Sequence, residues 1–250
     1  MTSMDASADY DPFARVYNLH WGSYARLVVP ILEHLVLQHL PRRAPVLDLC
    51  CGTGQLAARL TEDGYKVTGV DISGSMIEIA RAAAAGADFH VQDVRHPLPV
   101  GGFAAALSTF DSLNHMMTLE DLTRVFQNVR DVLGTNGHFA FDLNMAAAYE
   151  ARWRGTFAYV EDDHVCALRS SHDLAARTGR MDLTIFELAR GAWTRADLSL
   201  MQRWYAKDEV LAALRAAGFT DSRSFSADEP IAVGCPALPG RMFFVARAPR

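Results

Sequence analysis

The chain has 250 residues, 50% of them hydrophobic, and a formal net charge of −5. This length suits one α/β domain with an insertion better than two equal domains. The negative balance argues against a nucleic-acid partner, because phosphate binding depends on clustered lysine and arginine. No stretch reaches the roughly 18 apolar residues of a membrane span, and the polar first residues do not resemble a targeting signal. We therefore expect a cytoplasmic protein that binds neither a membrane nor nucleic acid.

The four cysteines give no sign of a metal centre. Cys50, Cys51, Cys166 and Cys235 have neither C-x-x-C spacing nor a histidine at zinc-ligand spacing. We expect no metal site and no disulfide framework.

Residues 1–40 are predicted to form a helical N-terminal lid. Apolar side chains recur at helical spacing between residues 12 and 40, which indicates one or two helices that stop at Pro41. The aromatic stripe of this segment, which includes Tyr17 and Tyr24, is typical of core packing. The same stripe would also suit a cationic ligand.

Strands and helices alternate in the next part of the chain, over residues 41–146, and again over 206–250. This alternation predicts a parallel, doubly wound α/β sheet of the Rossmann type. The predicted strands are Pro45–Cys50, Lys66–Val70, Asp88–Val91, Phe103–Thr109, His138–Leu143, Thr220–Ser226 and Arg241–Ala248. The predicted helices are Gln55–Asp63, Ser75–Ala85, Leu119–Leu133 and Lys207–Ala217.

Residues 147–205 have a different pattern, typical of a small antiparallel β insertion. The β-rich segments are Thr156–Cys166, Arg180–Leu188 and Ala192–Tyr205, with turn signals between them. We expect this insertion to lie over a substrate site. Arg152 and Arg154, at its boundary, are predicted to be solvated and receive no role.

A glycine-containing turn follows the first predicted strand. The sequence Cys51-Gly52-Thr53-Gly54 precedes a helix, and glycine lets backbone N–H groups approach a polar ligand closely. The spacing also satisfies Gly-x-Gly-x-x-Ala, so this turn alone allows a dinucleotide as well.

Two acidic residues narrow the choice of ligand. Asp71 ends the second strand, where a carboxylate accepts the hydroxyls of a ribose, although a helix N-cap is the alternative role. Asp93 ends the third strand before a proline-rich loop and would suit an adenine amino group. Asp71 fits both nicotinamide cofactors and S-adenosylmethionine, whereas Asp93 favours S-adenosylmethionine.

These segments in this order resemble the class I methyltransferases that use S-adenosylmethionine (SAM). The resemblance rests on Val46–Gly54, Val67–Ile72, Val91–Pro99, Leu107–His115 and Met242–Ala246. It implies a seven-stranded sheet with an antiparallel last strand, and SAM as the cofactor.

The resemblance also implies roles for individual residues. Gly52 and Gly54 would line the methionine part of SAM, and Asp71 would hold the ribose. The further residues predicted to contact the cofactor are Ile72 and Met76 beside the adenine, Asp93 and Val94 at its amino edge, Asp48, Cys50 and Phe110 near the loop, and Tyr24 of the lid.

The acceptor is predicted only by class. The start of the chain, the Phe110–His115 run and the β insertion look most like small-molecule methyltransferases of amino sugars or of glycine and sarcosine, so we expect methylation of a nitrogen or oxygen. His115 is the candidate base, and Tyr17 would position the nucleophile or close over SAM. The acceptor itself and the oligomeric state stay open, a homodimer included. The alternatives are a nicotinamide-dependent oxidoreductase and an inactive SAM-binding regulatory protein.

Overall fold

A computed structural model describes residues 10–231 and 234–250. Residues 1–9, where the predicted lid begins, lie outside the described residues, as do residues 232 and 233 of the predicted SAM-binding domain. Within the described ranges, no helix is both long and apolar enough to cross a membrane.

The described chain contains strands in two sheets and helices on both sides of the larger one. The strands are β1 Pro45–Leu49, β2 Lys66–Asp71, β3 Asp88–Val91, β4 Phe103–Ser108, β5 Leu133–Asn144, β6 Gly155–Val160, β7 His164–Asp173, β8 Thr178–Ala189, β9 Ala192–Arg203, β10 Thr220–Ser226 and β11 Arg241–Arg247. The α-helices are α1 Ala14–His20, α2 Tyr24–Leu35, α3 Gln55–Glu62, α4 Gly74–Ala83, α5 Leu119–Val132, α6 Ala146–Arg152 and α7 Lys207–Ala216.

The larger sheet has seven strands in the order β10-β11-β5-β4-β1-β2-β3. Strands β1 to β5 pair in parallel, while β11 runs antiparallel to both β5 and β10. The Rossmann-like sheet with an antiparallel last strand is therefore confirmed. The strand order reverses beside β1, and open α/β sheets bind ligands at the carboxyl ends of the strands at such a point.

The insertion is a separate antiparallel sheet in the order β6-β7-β8-β9. The predicted β-rich segment Thr156–Cys166 contains β6 and the start of β7, because the chain turns at residues 161–163. That turn consists of Glu161, Asp162 and Asp163, and it contains neither the glycine nor the proline that usually marks a turn. Helix α6, which precedes the sheet, was also not predicted.

The segment predicted to form one or two helices contains two, α1 and α2, which are separated around Gly22. A β-carbon at Gly22 would approach the Asn18 backbone oxygen to 2.8 Å, so the residue between the helices has to be small. Helix α1 packs between the sheets, where Phe13 and Val16 join a buried cluster with Met76 of α4 and with inward side chains of the insertion. This cluster fixes the lid and the insertion over the carboxyl ends of the parallel strands.

Candidate active site

A cavity of about 500 Å³ lies beneath the lid and the insertion, at the carboxyl ends of the parallel strands. It brings together most of the predicted site residues: Tyr17, Cys50, Gly52, Asp71, Ile72, Met76, Asp93, Val94, Phe110 and His115. Asp48 and Tyr24 instead line a much smaller adjoining pocket, which shares Tyr17, Cys50 and Phe110 with the cavity.

The glycine turn adopts the backbone that the sequence predicts. Gly52 has φ +53°, and a β-carbon there would stand 3.4 Å from the ring of Tyr17, so glycine keeps the space between turn and lid open. Gly54 has φ +81°, but its β-carbon would meet Ala80 of α4 at 2.8 Å. Gly52 thus borders the cavity, while Gly54 allows close packing of the turn against α4, and its contact with a cofactor stays a prediction.

Asp71 lies at the end of β2, with both carboxylate oxygens held by backbone donors. Gly52 N–H donates to Oδ2 at 2.9 Å and Ser73 N–H donates to Oδ1 at 3.0 Å. Burial raises the pKa of Asp71 above its usual value, and these hydrogen bonds oppose that shift. Helix α4 is capped by Ser73, whose hydroxyl accepts from Met76 N–H, so Asp71 is not the N-cap.

Asp93 is paired with a neighbouring arginine. Its carboxylate accepts from Arg95 Nε at 3.0 Å, and the Arg95 backbone N–H donates to Oδ1 at 2.9 Å. Burial alone would raise the pKa of Asp93, but the bonds from Arg95 outweigh it and lower the pKa. The carboxylate therefore stays charged at the edge of the cavity, and its contact with adenine stays a prediction.

Asp48 is buried in β1, beside the glycine turn. Its side chain is 2% exposed, and its Oδ2 has no hydrogen-bond partner among the described residues. Burial and, to a smaller extent, repulsion from Asp71 raise the pKa of Asp48 to about 8. A hydrogen bond from the Ala57 backbone opposes this shift. This carboxyl group is therefore mostly protonated at neutral pH.

We expect the pH dependence of stability to change in the variant Asp48→Asn. Between pH 4 and about 8 the native state keeps a proton on Asp48 that the unfolded chain releases, so this residue lowers stability as pH rises through that range. Asparagine has no such proton. The change in melting temperature caused by Asp48→Asn should be more stabilising, or less destabilising, at pH 9 than at pH 6. The control is Asp88→Asn, at an exposed position, whose effect on the melting temperature should be about the same at both pH values. Equal shifts at both pH values would contradict the raised pKa.

His115 contacts the insertion and the lid. Its Nδ1 lies 2.8 Å from the Met201 carbonyl oxygen, which only accepts, so Nδ1 carries the hydrogen. The free lone pair is then on Nε2, where the Tyr10 hydroxyl donates at 2.8 Å. Burial lowers the pKa of His115, although Asp111 and the Met201 bond oppose the shift. The imidazole is therefore neutral, with a basic nitrogen inside the cavity.

A buried charge cluster supports the turn that precedes His115. Arg241, at the start of β11, donates to Asp111 Oδ1 at 2.6 Å and to Asp142 Oδ2, and it is only 6% exposed. Gln202 Nε2 donates to the second oxygen of Asp111 at 2.7 Å. Charges this deeply buried require close partners.

The same cluster holds Phe110 and Tyr24. Phe110 and Asp111 both have positive φ, +62° and +52°, an uncommon backbone for residues other than glycine. Phe110 stacks on Tyr24 at 4.3 Å, and the Tyr24 hydroxyl donates to Asp142 Oδ2 at 2.9 Å. The contacts of Tyr24 are thus with the charge cluster, and its role in cofactor binding stays a prediction.

The sequence did not predict several of the residues that form the site. Asp111 lies inside a segment quoted for the resemblance and Tyr10 lies in the predicted lid, but nothing in a linear pattern pairs them with Arg241 or His115. A usable signal was Arg241, a charged residue directly before the apolar run Met242–Ala246. The prediction that Arg152 would be a solvated residue without a role is incomplete, because Arg152 is exposed but lines the cavity.

Comparison with known proteins shows the family of this chain. Residues 46–137, from β1 to the start of β5, match the family model described as a methyltransferase domain. The putative methyltransferase YqeM of Bacillus subtilis (strain 168) is 31% identical over 216 residues, which cover 83% of this chain and 85% of that protein. The chain belongs to the class I SAM-dependent methyltransferases.

Two further likenesses agree with the methyltransferase family. The dTDP-4-amino-2,3,4,6-tetradeoxy-D-glucose N,N-dimethyltransferase of Saccharopolyspora spinosa is 27% identical over 228 residues, or 86% of each chain. The crystal structure of a SAM-dependent methyltransferase from Clostridium acetobutylicum ATCC 824 gives a TM-score of 0.76 at 20% identity, over 96% of this chain and 99% of that one. Neither likeness supports the oxidoreductase alternative.

The residues of the methyltransferase cavity fit SAM. At Gly52, the space that a side chain would occupy is left open beside Tyr17. The unpartnered Oδ2 of Asp48 lies next to the glycine turn, where it suits a polar group. Tyr17 and Trp21 stack at 6.4 Å and line the cavity, and aromatic faces attract cations such as a sulfonium.

Proposed function

We propose that this methyltransferase transfers a methyl group to a nitrogen or oxygen atom of a small molecule, with an amine as the first acceptor to test. The observation that carries the proposal is the hydrogen-bonded pair of His115 and Tyr10, in the same cavity as Gly52 and Asp71. The printed name of the Saccharopolyspora spinosa relative, an amino-sugar N,N-dimethyltransferase, supports an amine.

SAM, when bound, supplies the methyl group from its sulfonium. The residues proposed to hold it remain those predicted above: Tyr24, Asp48, Cys50, Gly52, Gly54, Asp71, Ile72, Met76, Asp93, Val94 and Phe110. Methyl transfer depends mainly on aligning the acceptor and excluding water. The lid and the insertion serve that purpose in the proposal, because they cover the carboxyl ends of the parallel strands.

His115 and Tyr10 are proposed to remove the acceptor's proton. A protonated amine or a hydroxyl has to lose a proton in the course of the reaction. The acceptor's proton would pass to the Tyr10 oxygen while the Tyr10 hydroxyl hydrogen passes to His115 Nε2, along the 2.8 Å hydrogen bond between them. Tyr17, whose ring lies beside Gly52, keeps its proposed role of positioning the nucleophile.

A calorimetric titration and an acceptor screen test the two halves of the proposal. We expect SAM and S-adenosylhomocysteine to bind, and Asp71→Asn to weaken binding about tenfold or more, because a charged acceptor for the ribose is lost. Asp162→Asn, in an exposed turn, serves as the matched control. Release of S-adenosylhomocysteine in the presence of small amines and alcohols would then identify the acceptor group.

Two outcomes would count against the proposal in different ways. If neither nucleoside bound at millimolar concentration, the cofactor half would be wrong. If SAM bound but no acceptor caused release, an inactive SAM-binding regulatory protein would be favoured. A cytoplasmic location, a homodimer, the absence of nucleic-acid partners and the three-part division at residues 40, 146 and 205 stay predictions.

A further inference from the structure

Arg152 is held at the wall of the cavity by two neutral groups. It is the last residue of α6, and its Nη2 donates to Asn144 Oδ1 at 3.0 Å, while Nη1 donates to the Pro239 carbonyl oxygen. Asn144, at the end of β5, is 4% exposed and lines the same cavity. Two anchors from different parts of the chain therefore fix the guanidinium in place.

The positive charge of Arg152 has no paired carboxylate. Among the described residues, no Asp or Glu oxygen lies within 4.0 Å of its guanidinium, in contrast to Arg241, which is bound by both Asp111 and Asp142. Partial burial and repulsion from Arg241 lower the pKa of Arg152. Attraction to Asp111 raises it, but by less. Its surroundings therefore favour the arrival of a negative charge.

The guanidinium also has hydrogen-bond donors to spare. It carries five N–H groups in one plane, and the two neutral anchors account for two of them. The planar fork of arginine matches the paired oxygens of a carboxylate or a phosphate. Arg152 is thus equipped to bind such an anion from the cavity side.

We infer that the acceptor substrate carries an anionic group, a carboxylate or a phosphate, which Arg152 binds at the insertion side of the cavity. This inference rests on the proposed function and specifies its substrate. The same cavity is lined by the apolar side chains of Trp153, Phe157 and Met181, which suit an uncharged carbon skeleton. The acceptor would then lie with its anionic end at Arg152 and its methylated atom toward His115.

The inference can be tested by measuring the binding of two simple anions, an experiment that does not depend on catalytic activity. The protein saturated with S-adenosylhomocysteine is titrated with succinate, as a carboxylate probe, and with pyrophosphate, as a phosphate probe. We expect at least one to bind, and Arg152→Gln to weaken that binding about tenfold while Arg154→Gln, exposed two residues away, leaves it unchanged. The probe that binds more tightly identifies the chemical source of the anion.

A second variant and a separate measurement keep the result unambiguous. Arg152→Lys keeps the charge but loses the fork, so its affinity should lie between those of the native protein and Arg152→Gln. The inference is wrong if neither anion binds the native protein, or if Arg152→Gln and Arg152→Lys both bind as tightly as it does. Binding of S-adenosylhomocysteine is measured first, so a failure of the cofactor site is seen independently.

Discussion

Replacing Arg241 with methionine is expected to lower the free energy of unfolding by about 3–5 kcal/mol. Methionine fills much of the same volume but leaves Asp111 and Asp142 buried without their cation. Removing one partner of a buried ion pair costs this much because the remaining charge stays out of water. Burial already raises the pKa of Asp142, despite the presence of Arg241.

Urea denaturation measures this loss, with Arg223→Met as the control. Arg223 forms an ion pair with Asp221 on the neighbouring strand β10, but its side chain is 68% exposed, so its loss should cost at most about 1 kcal/mol. The double variant Arg241→Met with Asp142→Asn should recover part of the stability, because one buried charge is removed. Similar losses for Arg241→Met and Arg223→Met would show that the cluster contributes little.

Replacing His115 with alanine is expected to lower kcat about 10²-fold or more, while SAM affinity stays nearly unchanged. His115 contacts Tyr10, Gln202 and the Met201 carbonyl rather than the predicted cofactor residues, so its loss should affect proton removal. Because burial lowers the pKa of His115, the native protein should lose activity on acidification only below the usual histidine range.

Turnover and SAM titration of the same preparations separate these effects. Tyr10→Phe should also lower kcat, since it removes the hydroxyl that donates to Nε2. His34→Gln, at an exposed position on α2, is the control. Native kcat in His115→Ala would remove His115 from the mechanism, and an equal loss of SAM affinity would indicate a structural role instead.

The sequence was sufficient for the sheet but not for the insertion. Alternating apolar runs and helical patterns predicted the strands around Asp48 and Asp71, because local periodicity reports which face each segment buries. The turn at residues 161–163 lacks a glycine or proline, so the predicted β-rich segment Thr156–Cys166 ran across it from β6 into β7. Helix α6 is only seven residues long, too short for a clear helical period.

The sequence predicted those residues of the candidate site that lie in a local motif at the end of a strand. Gly52 and His115 come after strands and Asp71 ends one, and the carboxyl ends of parallel strands meet at one edge of the sheet. The Arg241–Asp111 pair joins residues 130 positions apart, and Tyr10 reaches His115 across 105 positions. Such pairs form only when β11 and the lid pack against the rest of the fold, and a local sequence pattern does not indicate this packing.

The position of β11 has a consequence for synthesis on the ribosome. This strand lies between β5 and β10 in the sheet, yet it is made after the other six strands of that sheet. Until it is inserted, Asp111 and Asp142 have no cation, and the turn that carries His115 lacks its main support. A nascent chain can therefore form the glycine turn early, but it completes the His115 side of the cavity only after β11 has left the ribosome.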